Sequence, residues 1–478
     1  LFRSQLWWGH RIPAYYLPGS NDYVVAESKE NALILAKEKT GDPNLSADDL
    51  RQDEDVLDTW FSSWLWPISV FDGIRKPDNP DINYYYPTDD LITAPEILFF
   101  WVARMIMAGY EYRNEKQKKN VYLTGIVRDT QRRKMSKSLG NSPDPILLMK
   151  KFGADGVRVG MLLCSPAGND LLFEESLTEQ GRNFGNKIWN AFRLIKQWKI
   201  DENLEQPEHS KLAVEWFNAR LNQAIAEIEN QYAKYRISDA LMQVYRLFWE
   251  EFSSWYLEII KPAYKQPVDK QSFDATILFL EKLLKLLHPF MPFITEEIWS
   301  LIQKRKEGES IVIAPMPEAE DFDLMLIERF EKIKSIVTSV RGIKKEKNIP
   351  LKEDVKLLIR EDKADHENNF DPVLRKMLNL SEIAFTKHKE EGAASFRVKT
   401  TEYYIPLGDL LDVDSELKKL ENELKYARGF LNSVMKKLQN ERFVKNAPEK
   451  VVENEKKKKK DAESKITTLE ERISSLKK

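Results

Sequence analysis

The sequence predicts an α/β segment followed by an all-α segment, a small second α/β segment and a helical tail. Three observations predict it. In the first third, apolar runs of β-branched and aromatic residues, such as Val121-Tyr122-Leu123-Thr124-Gly125-Ile126-Val127, stop at polar, basic turns and read as buried strands. From 211 to 345 apolar residues recur at helical spacing. From 414 onward Leu417, Leu420, Leu424, Ala427, Leu431, Val434 and Leu438 alternate spacings of three and four, which is a coiled-coil seam.

Bulk properties bound what such a chain can be. Its 478 residues suffice for about three domains with sizeable cores. A net charge of -2 excludes a uniformly basic nucleic-acid binder, so any such contact must come from local patches. The single cysteine, Cys164, permits neither an internal disulfide nor a cysteine-ligated zinc, and fits a reducing cytoplasm. The longest apolar run, Ile97 to Met107, is interrupted by Arg104 and falls short of the roughly 20 residues a bilayer requires, so no membrane partner is expected. The chain begins at Leu1 inside what reads as a working segment, which predicts a fragment of a longer protein.

Lys134-Met135-Ser136-Lys137-Ser138 follows the apolar run at 121–127. A basic loop at the carboxyl end of a strand lies where open α/β sheets bind ligands. Two lysines on a hydroxyl-rich loop suit the neutralisation of charge that grows on a leaving pyrophosphate; the bland alternative is a solvated basic loop. The five residues match without a mismatch, and resemble the KMSKS signature of class I aminoacyl-tRNA synthetases. The resemblance implies ATP with Mg2+ as substrate, Lys137 and Lys134 as catalytic cations, Met135 presenting backbone groups to adenine, Ser136 and Ser138 shaping the turn, and Asn141 completing the Gly-Asn that follows. Arg132 stands where the family commonly has glycine, and Leu139 where it usually has lysine.

Earlier in the chain, Gln5-Leu6-Trp7-Trp8-Gly9-His10-Arg11-Ile12-Pro13 reads by itself as aromatic core, and Asp53-Glu54-Asp55-Val56-Leu57-Asp58-Thr59-Trp60-Phe61-Ser62-Ser63, with four acids within six positions, as a solvated acidic loop. No histidine or glycine-punctuated loop flanks the acids, so no metal site is expected there. Both stretches are similar to blocks of the valyl-tRNA synthetase family, and that likeness implies that Trp8 and Trp60 wall a valine pocket. Leu91-Ile92-Thr93 reads as a short strand, and Ala94-Pro95-Glu96 as the opening of a helix running to about Gly109. A carboxylate at a helix start can accept hydroxyl hydrogen bonds or merely complement the dipole. The family resemblance implies that Glu96 holds the adenosine ribose, with Ala94 and Glu96 departing from the usual glycine and aspartate.

In 183–193, Phe184, Ile188 and Phe192 share one helical face, while Asn183, Asn186, Asn190 and Arg193 share another. An amide-rich cationic face, with Lys187 beside it, can read unstacked bases or can simply be solvated. Further on, one stripe is Phe217, Leu221, Ala224 and Ile228. A second is Ile237, Leu241, Val244, Phe248, Trp255 and Ile259, capped by Ser238-Asp239. A third is Ile277, Leu280, Leu284 and Leu287, closed by His288-Pro289, where His288 reads as a packing residue. Residues 355–359 and 403–407 read as strands flanking a helix near 371–379. In the tail, Asn446-Ala447-Pro448 breaks the first helix, and Val452, Ala462, Ile466, Leu469, Ile473 and Leu476 resume the seam on a returning one.

The resemblance covers nearly the whole chain. It implies residues 1–152 as the C-terminal half of a Rossmann-like nucleotide-binding domain, 153–200 as a stem-contact segment and 201–345 as a helix-bundle anticodon-binding domain. It further implies 346–412 as a small α/β linker domain and 413–478 as an antiparallel coiled-coil tRNA-binding arm. Arg442, Lys445, Lys456, Lys457 and Lys458 would then meet tRNA phosphates. The implied partners are tRNA(Val), valine and ATP, and the implied state is a cytoplasmic monomer without structural zinc in this chain. An isoleucyl-type enzyme is the nearest alternative, although it usually ends in cysteine-ligated zinc. A tRNA-binding module without catalysis is the alternative of another class, since the chain lacks the His-Ile-Gly-His motif and the editing domain. Deleting 414–478 is expected to weaken tRNA binding and to flatten its dependence on salt in a titration series, and an unchanged slope would count against the arm.

Overall fold

A computed structural model describes residues 3–4, 8–164, 170–361, 368–390, 392–407, 413–439 and 449–476. The chain forms two compact units. One comprises Leu1–Lys196, Ala224–Trp249 and Glu281–Glu318; the other comprises Gln197–Gln223, Glu250–Leu280 and Ala319–Lys478.

The first unit opens with a three-stranded antiparallel sheet in the order Tyr23–Val25, Ala14–Tyr16, Arg51–Gln52. The helix Lys29–Thr40 begins where the Ser28 hydroxyl accepts from the Asn31 amide, and stops at Gly41 in a left-handed conformation (φ 72°). Ala32 and Ala36 on this helix pack on Tyr15, Leu17 and Val24. The acidic stretch that follows is not a solvated loop. Asp53 is buried and accepts from the Tyr16 hydroxyl at 2.9 Å, while Asp58 caps the helix Thr59–Ser69 by accepting from the Trp60 amide at 2.8 Å.

Thr88–Thr93 and Lys118–Leu123 form a parallel pair, with Asp90 opposite Asn120 and Thr93 opposite Leu123. The expected buried strand at 121–127 is therefore shorter and more exposed. It ends at Leu123, and among the described residues its sheet has only these two strands, so Val121 keeps one face open. The expected helix 94–109 also differs. A 3-10 turn Pro95–Ile97 and a π turn Leu98–Val102 precede the helix Ala103–Arg113, which Asn114 ends at φ 55°. Gly109 lies inside this helix because a Cβ there would stand 2.5 Å from the Glu115 carbonyl oxygen.

The helices Ala154–Leu163 and Glu175–Lys196 approach through glycines. A Cβ on Gly181 would overlap the Gly156 carbonyl oxygen, and one on Gly160 would lie 2.7 Å from the Thr178 backbone. Phe184, Ile188 and Phe192 are buried on the longer of the two, as their spacing predicts. The next predicted stripe needs correction. The helix Ile237–Arg246 continues as a π-helix over Leu247–Tyr256, whose wider turn shifts the register. Leu241, Val244, Phe248 and Ile259 are buried as expected, but Phe252 and Tyr256 take the inner positions and Trp255 is only half-buried. Ser238 and Asp239 do not cap this helix, which starts after Arg236 with no side-chain cap; the Ser238 hydroxyl donates to the Leu162 carbonyl at 2.7 Å instead. His288 shares a hydrogen bond with the Thr295 hydroxyl at 2.8 Å, a packing role.

In the second unit Trp216 stacks on Phe330 at 3.8 Å, and Phe217, Tyr256 and Phe279 fill the space beside them. Its sheet has the order Leu380–Thr386, Val355–Arg360, Thr401–Pro406, Ala393–Val398; the first pair is parallel and the others antiparallel. The sequence reading caught the two central strands and the helix Asp371–Leu378, and missed both edges. Lys344 is buried near the end of the helix Leu324–Glu346. Its ammonium donates to the carbonyls of Leu351, Glu353 and Leu378 at 3.2, 2.6 and 2.9 Å, and desolvation holds its pKa below the usual lysine range. The tail is a pair of antiparallel helices, Val413–Gln439 and Glu449–Leu476, packed through Leu424, Ala427, Ile466, Leu469 and Ile473, with Arg428 paired to Glu470. The break at Asn446-Ala447-Pro448 lies outside the described residues. Among the described residues no helix is long and apolar enough to cross a membrane.

Two glycine substitutions are expected to have opposite signs. Gly342→Ala, with open space at its Cβ, should stabilise by about 0.5–1 kcal/mol through helix propensity. Gly160→Ala should destabilise despite the same propensity gain, because the backbone of Thr178 cannot yield. Urea denaturation of both variants checks this, and a stabilised Gly160→Ala would refute the close approach.

Candidate nucleotide site and RNA-facing surfaces

The basic loop is built on a carboxylate. Asp129, 9% exposed, accepts from the amides of Gln131 and Arg133 at 3.0 and 2.9 Å, from Arg133 Nε at 2.8 Å and from Asn141 Nδ2 at 3.0 Å. The Asn141 amide beside it, with the Arg133 guanidinium and backbone, brings its pKa down to about 2. Asn141 spans the loop. Its amide nitrogen also donates to the Lys134 carbonyl at 3.3 Å, and its oxygen accepts from the Ser136 amide at 2.9 Å. The Ser136 hydroxyl accepts from the Leu139 amide at 3.2 Å and lies 3.0 Å from the Ser138 hydroxyl.

Two further fastenings hold the base of the loop. The Met135 amide donates to the Val127 carbonyl at 3.0 Å, and the Met135 side chain packs against Leu148, Phe152 and Phe173. Val127–Arg128 pairs in parallel with Leu171–Leu172, and Arg128 forms an ion pair with Asp170. Arg132 adopts φ 64°, the left-handed conformation that glycine reaches without cost, so an arginine sits in a glycine backbone.

The loop brings Lys134 to Glu96. The ammonium lies 3.1 and 2.8 Å from the two carboxylate oxygens, so residues 38 positions apart in sequence meet at the ends of neighbouring strands. Thr124, just beyond the second strand, donates its amide to Thr93 just before Ala94, which fixes that meeting point. Lys137 stands exposed on the loop, with no ion pair among the described residues. The site so formed is cationic at Lys137, charge-paired at Lys134 and open to solvent, an arrangement that can accept polyphosphate.

The two tryptophan rings make no contact among the described residues, although the Leu57 amide donates to the His10 carbonyl at 2.8 Å and sets the two stretches side by side. Trp60 is half-buried against Trp64, Leu91 and Met105, whereas Trp8 is 89% exposed and no ring contact joins the pair. Trp8 lies in a stretch with Arg11 fastened to the Asp53 carbonyl at 2.7 Å, which holds the backbone but leaves the indole in solvent. Asn183, Asn186, Asn190 and Arg193 are exposed on one helix face, and the Lys187 ammonium lies 5.4 Å from the Trp249 ring centre. Arg442 and Lys445 lie outside the described residues. Lys456 and Lys457 are exposed, while Lys458 is engaged by Glu455 at 2.8 Å, a carboxylate 6% exposed in the seam whose pKa this contact lowers. Sequence reasoning missed Asp129 and the exposed aromatics Tyr426 and Phe430 of the arm. Asp129 carried a signal in its spacing to Gln131 and Arg133, which an Asx turn requires.

Comparison with known proteins agrees along the chain. Residues 2–174 match the family of class I tRNA synthetases for isoleucine, leucine, methionine and valine. Residues 214–359 match the anticodon-binding domain of tRNA ligases, and 412–477 match the valyl-tRNA synthetase tRNA-binding arm. A valine–tRNA ligase of Parabacteroides distasonis is 61% identical over 99% of this chain and 54% of its own length; one of Phocaeicola vulgatus is 58% identical over 99% and 54%. A leucyl-tRNA synthetase of Agrobacterium radiobacter K84, solved in a ternary complex with tRNA, superposes with a TM-score of 0.49 at 20% identity, covering 68% of this chain and 42% of its own. The chain thus belongs to the class I tRNA synthetases. Within that class it falls in the valine–tRNA ligase family, and it spans about half the length of the curated relatives it matches.

Because the Asp129 pKa is lowered, its hydrogen bonds should hold as pH falls through the ordinary carboxylate range near 3.9 and be lost only toward pH 2. Amide protection at Gln131 and Arg133, followed by hydrogen exchange across pH, should report this. Loss of protection between pH 5 and 4, or unchanged protection in Asp129→Asn at neutral pH, would contradict it.

Proposed function

We propose that this chain is the part of a valine–tRNA ligase that carries the exposed cationic loop, the anticodon-binding helices and the tRNA-binding arm. In the full-length protein it takes part in activating valine with ATP and transferring it to tRNA(Val). The observation that carries this reading is identity of 57–61% to valine–tRNA ligases over 99% of the chain. The loop geometry supports it. Glu96 holds Lys134 beside the strand ends, and ATP arriving there would exchange that carboxylate for phosphate, leaving Glu96 free to accept from ribose hydroxyls. Mg2+ accompanies ATP as substrate. Lys137, exposed and without an ion pair among the described residues, neutralises charge as pyrophosphate departs.

The five-part division at 1–152, 153–200, 201–345, 346–412 and 413–478 is retained within this reading. The tail pair serves as a coiled-coil arm, with Lys456 and Lys457 on phosphates and the Asn183-to-Arg193 face toward RNA. The protein acts as a cytoplasmic monomer. An isoleucyl-type reading is disfavoured because the arm family matched at 412–477 is the valyl one. Trp60 remains the better pocket candidate, since Trp8 faces solvent.

An amino-acid panel in pyrophosphate exchange with the full-length protein should show valine as the preferred substrate; preference for isoleucine would overturn the reading. In the same protein Lys137→Ala should lower kcat for adenylate formation on the order of 100-fold while the ATP KM moves far less. An unchanged kcat would remove Lys137 from the chemistry. These 478 residues alone should bind tRNA in a salt-dependent manner without valine-dependent exchange.

A further inference from the structure

The turn between the helices Glu208–Ala233 and Ile237–Arg246 holds a strained residue. Tyr235 has φ 56°, the left-handed conformation at a helix C-terminus where glycine is the usual occupant. The turn has the matching hydrogen bond, with the Arg236 amide donating to the Gln231 carbonyl at 2.9 Å. A bulky aromatic persists in such a backbone only when its surroundings over-determine it.

Those surroundings are the two parallel strands. The Tyr235 hydroxyl donates to Asp90 Oδ1 at 2.7 Å, and Asn120 Nδ2 donates to the same oxygen at 3.1 Å. The Tyr235 ring lies 6.0 Å from that of Tyr122. Asp90 is on the strand that runs into Glu96, and Tyr122 is on the strand that leads through Val127-Arg128 to Lys134. The residue thus touches both strands from which the chain runs on to Glu96 and to Lys134, while lying within 214–359, the segment matched by the anticodon-binding family. Ser238, three residues on, adds a second fastening through the Leu162 carbonyl.

We propose that Tyr235 is a positioning residue: a latch through which RNA engaged by the anticodon-binding segment biases the strands from which the chain runs on to Glu96 and to Lys134. This rests on the function proposed above. Movement of the helix end shifts Asp90 and Tyr122 together, and the strained backbone makes the latched state one that can be released. Among the described residues no hydrogen bond or ion pair joins Tyr235 or Asp90 to Glu96, Lys134 or Lys137.

The test uses the full-length protein and two assays, valine-dependent pyrophosphate exchange without tRNA and charging of tRNA. Tyr235→Phe, which keeps the ring and loses the hydroxyl, should lower kcat for charging about fivefold or more. The KM for tRNA and the rate of exchange should stay within about twofold, since the coupling and not the binding is lost. Asp90→Asn should behave alike, and the double variant should be no worse than either single one. Tyr235→Gly, which relieves the strained backbone, should melt no lower than wild type yet lose the same charging rate, which a merely structural role would not produce. Exchange and charging falling together, or charging unaffected in Tyr235→Phe, would overturn the latch. Absence of valine-dependent exchange in the wild type would instead overturn the function, and the latch with it.

Discussion

A single carboxylate organises the basic loop at 129–141. Asp129 gathers two backbone amides, one guanidinium and the Asn141 amide, and so ties the two ends of the 129–141 segment together. An ionised acceptor is suited to the task because charge-assisted hydrogen bonds are stronger than neutral ones. The loop can therefore be open to solvent and still have one shape at its base. Its lysines remain free to exchange partners, and Lys134 on Glu96 is one such partner.

The same division between a fixed base and a free tip recurs in the arm. Leu424, Ala427, Leu469 and Ile473 close the seam at the end remote from the turn. Toward the turn the seam admits Glu455, a buried carboxylate that needs Lys458 and Lys437, the latter at 4.0 Å, to be tolerated there. Lysines 456 and 457 point outward from that weaker end. A packed stem thus leaves exposed cations toward its other end, where the proposed phosphate contacts would fall.

Much of this was legible in the sequence, and the failures have physical causes. Helical stripes such as Phe184-Ile188-Phe192 and Phe217-Leu221-Ala224-Ile228 lie inside because 3.6-residue periodicity is local information. The stripe through Trp255 failed where a π-helix changed the period, which residue spacing does not announce. The exposure of the 118–123 strand depends on how many neighbours its sheet has, a non-local quantity. Lys344 reads as a surface lysine until three carbonyls are seen to converge on it. In the site, Lys134 and Lys137 were found through a motif, but the meeting of Lys134 with Glu96 needed the parallel register of two strands. Trp8 shows the converse: a motif fixed its identity without fixing its surroundings.

Under the proposed function, the Asp129 frame holds the 129–141 loop in the shape that nucleotide chemistry requires. Single-turnover formation of valyl-adenylate by the full-length protein tests it most directly, with wild type compared against Asp129→Asn. The account predicts a first-order rate on the order of 10-fold or more lower in the variant, with valine affinity unchanged, because the loop positions charge for the transition state. Equal rates in the two proteins would contradict it.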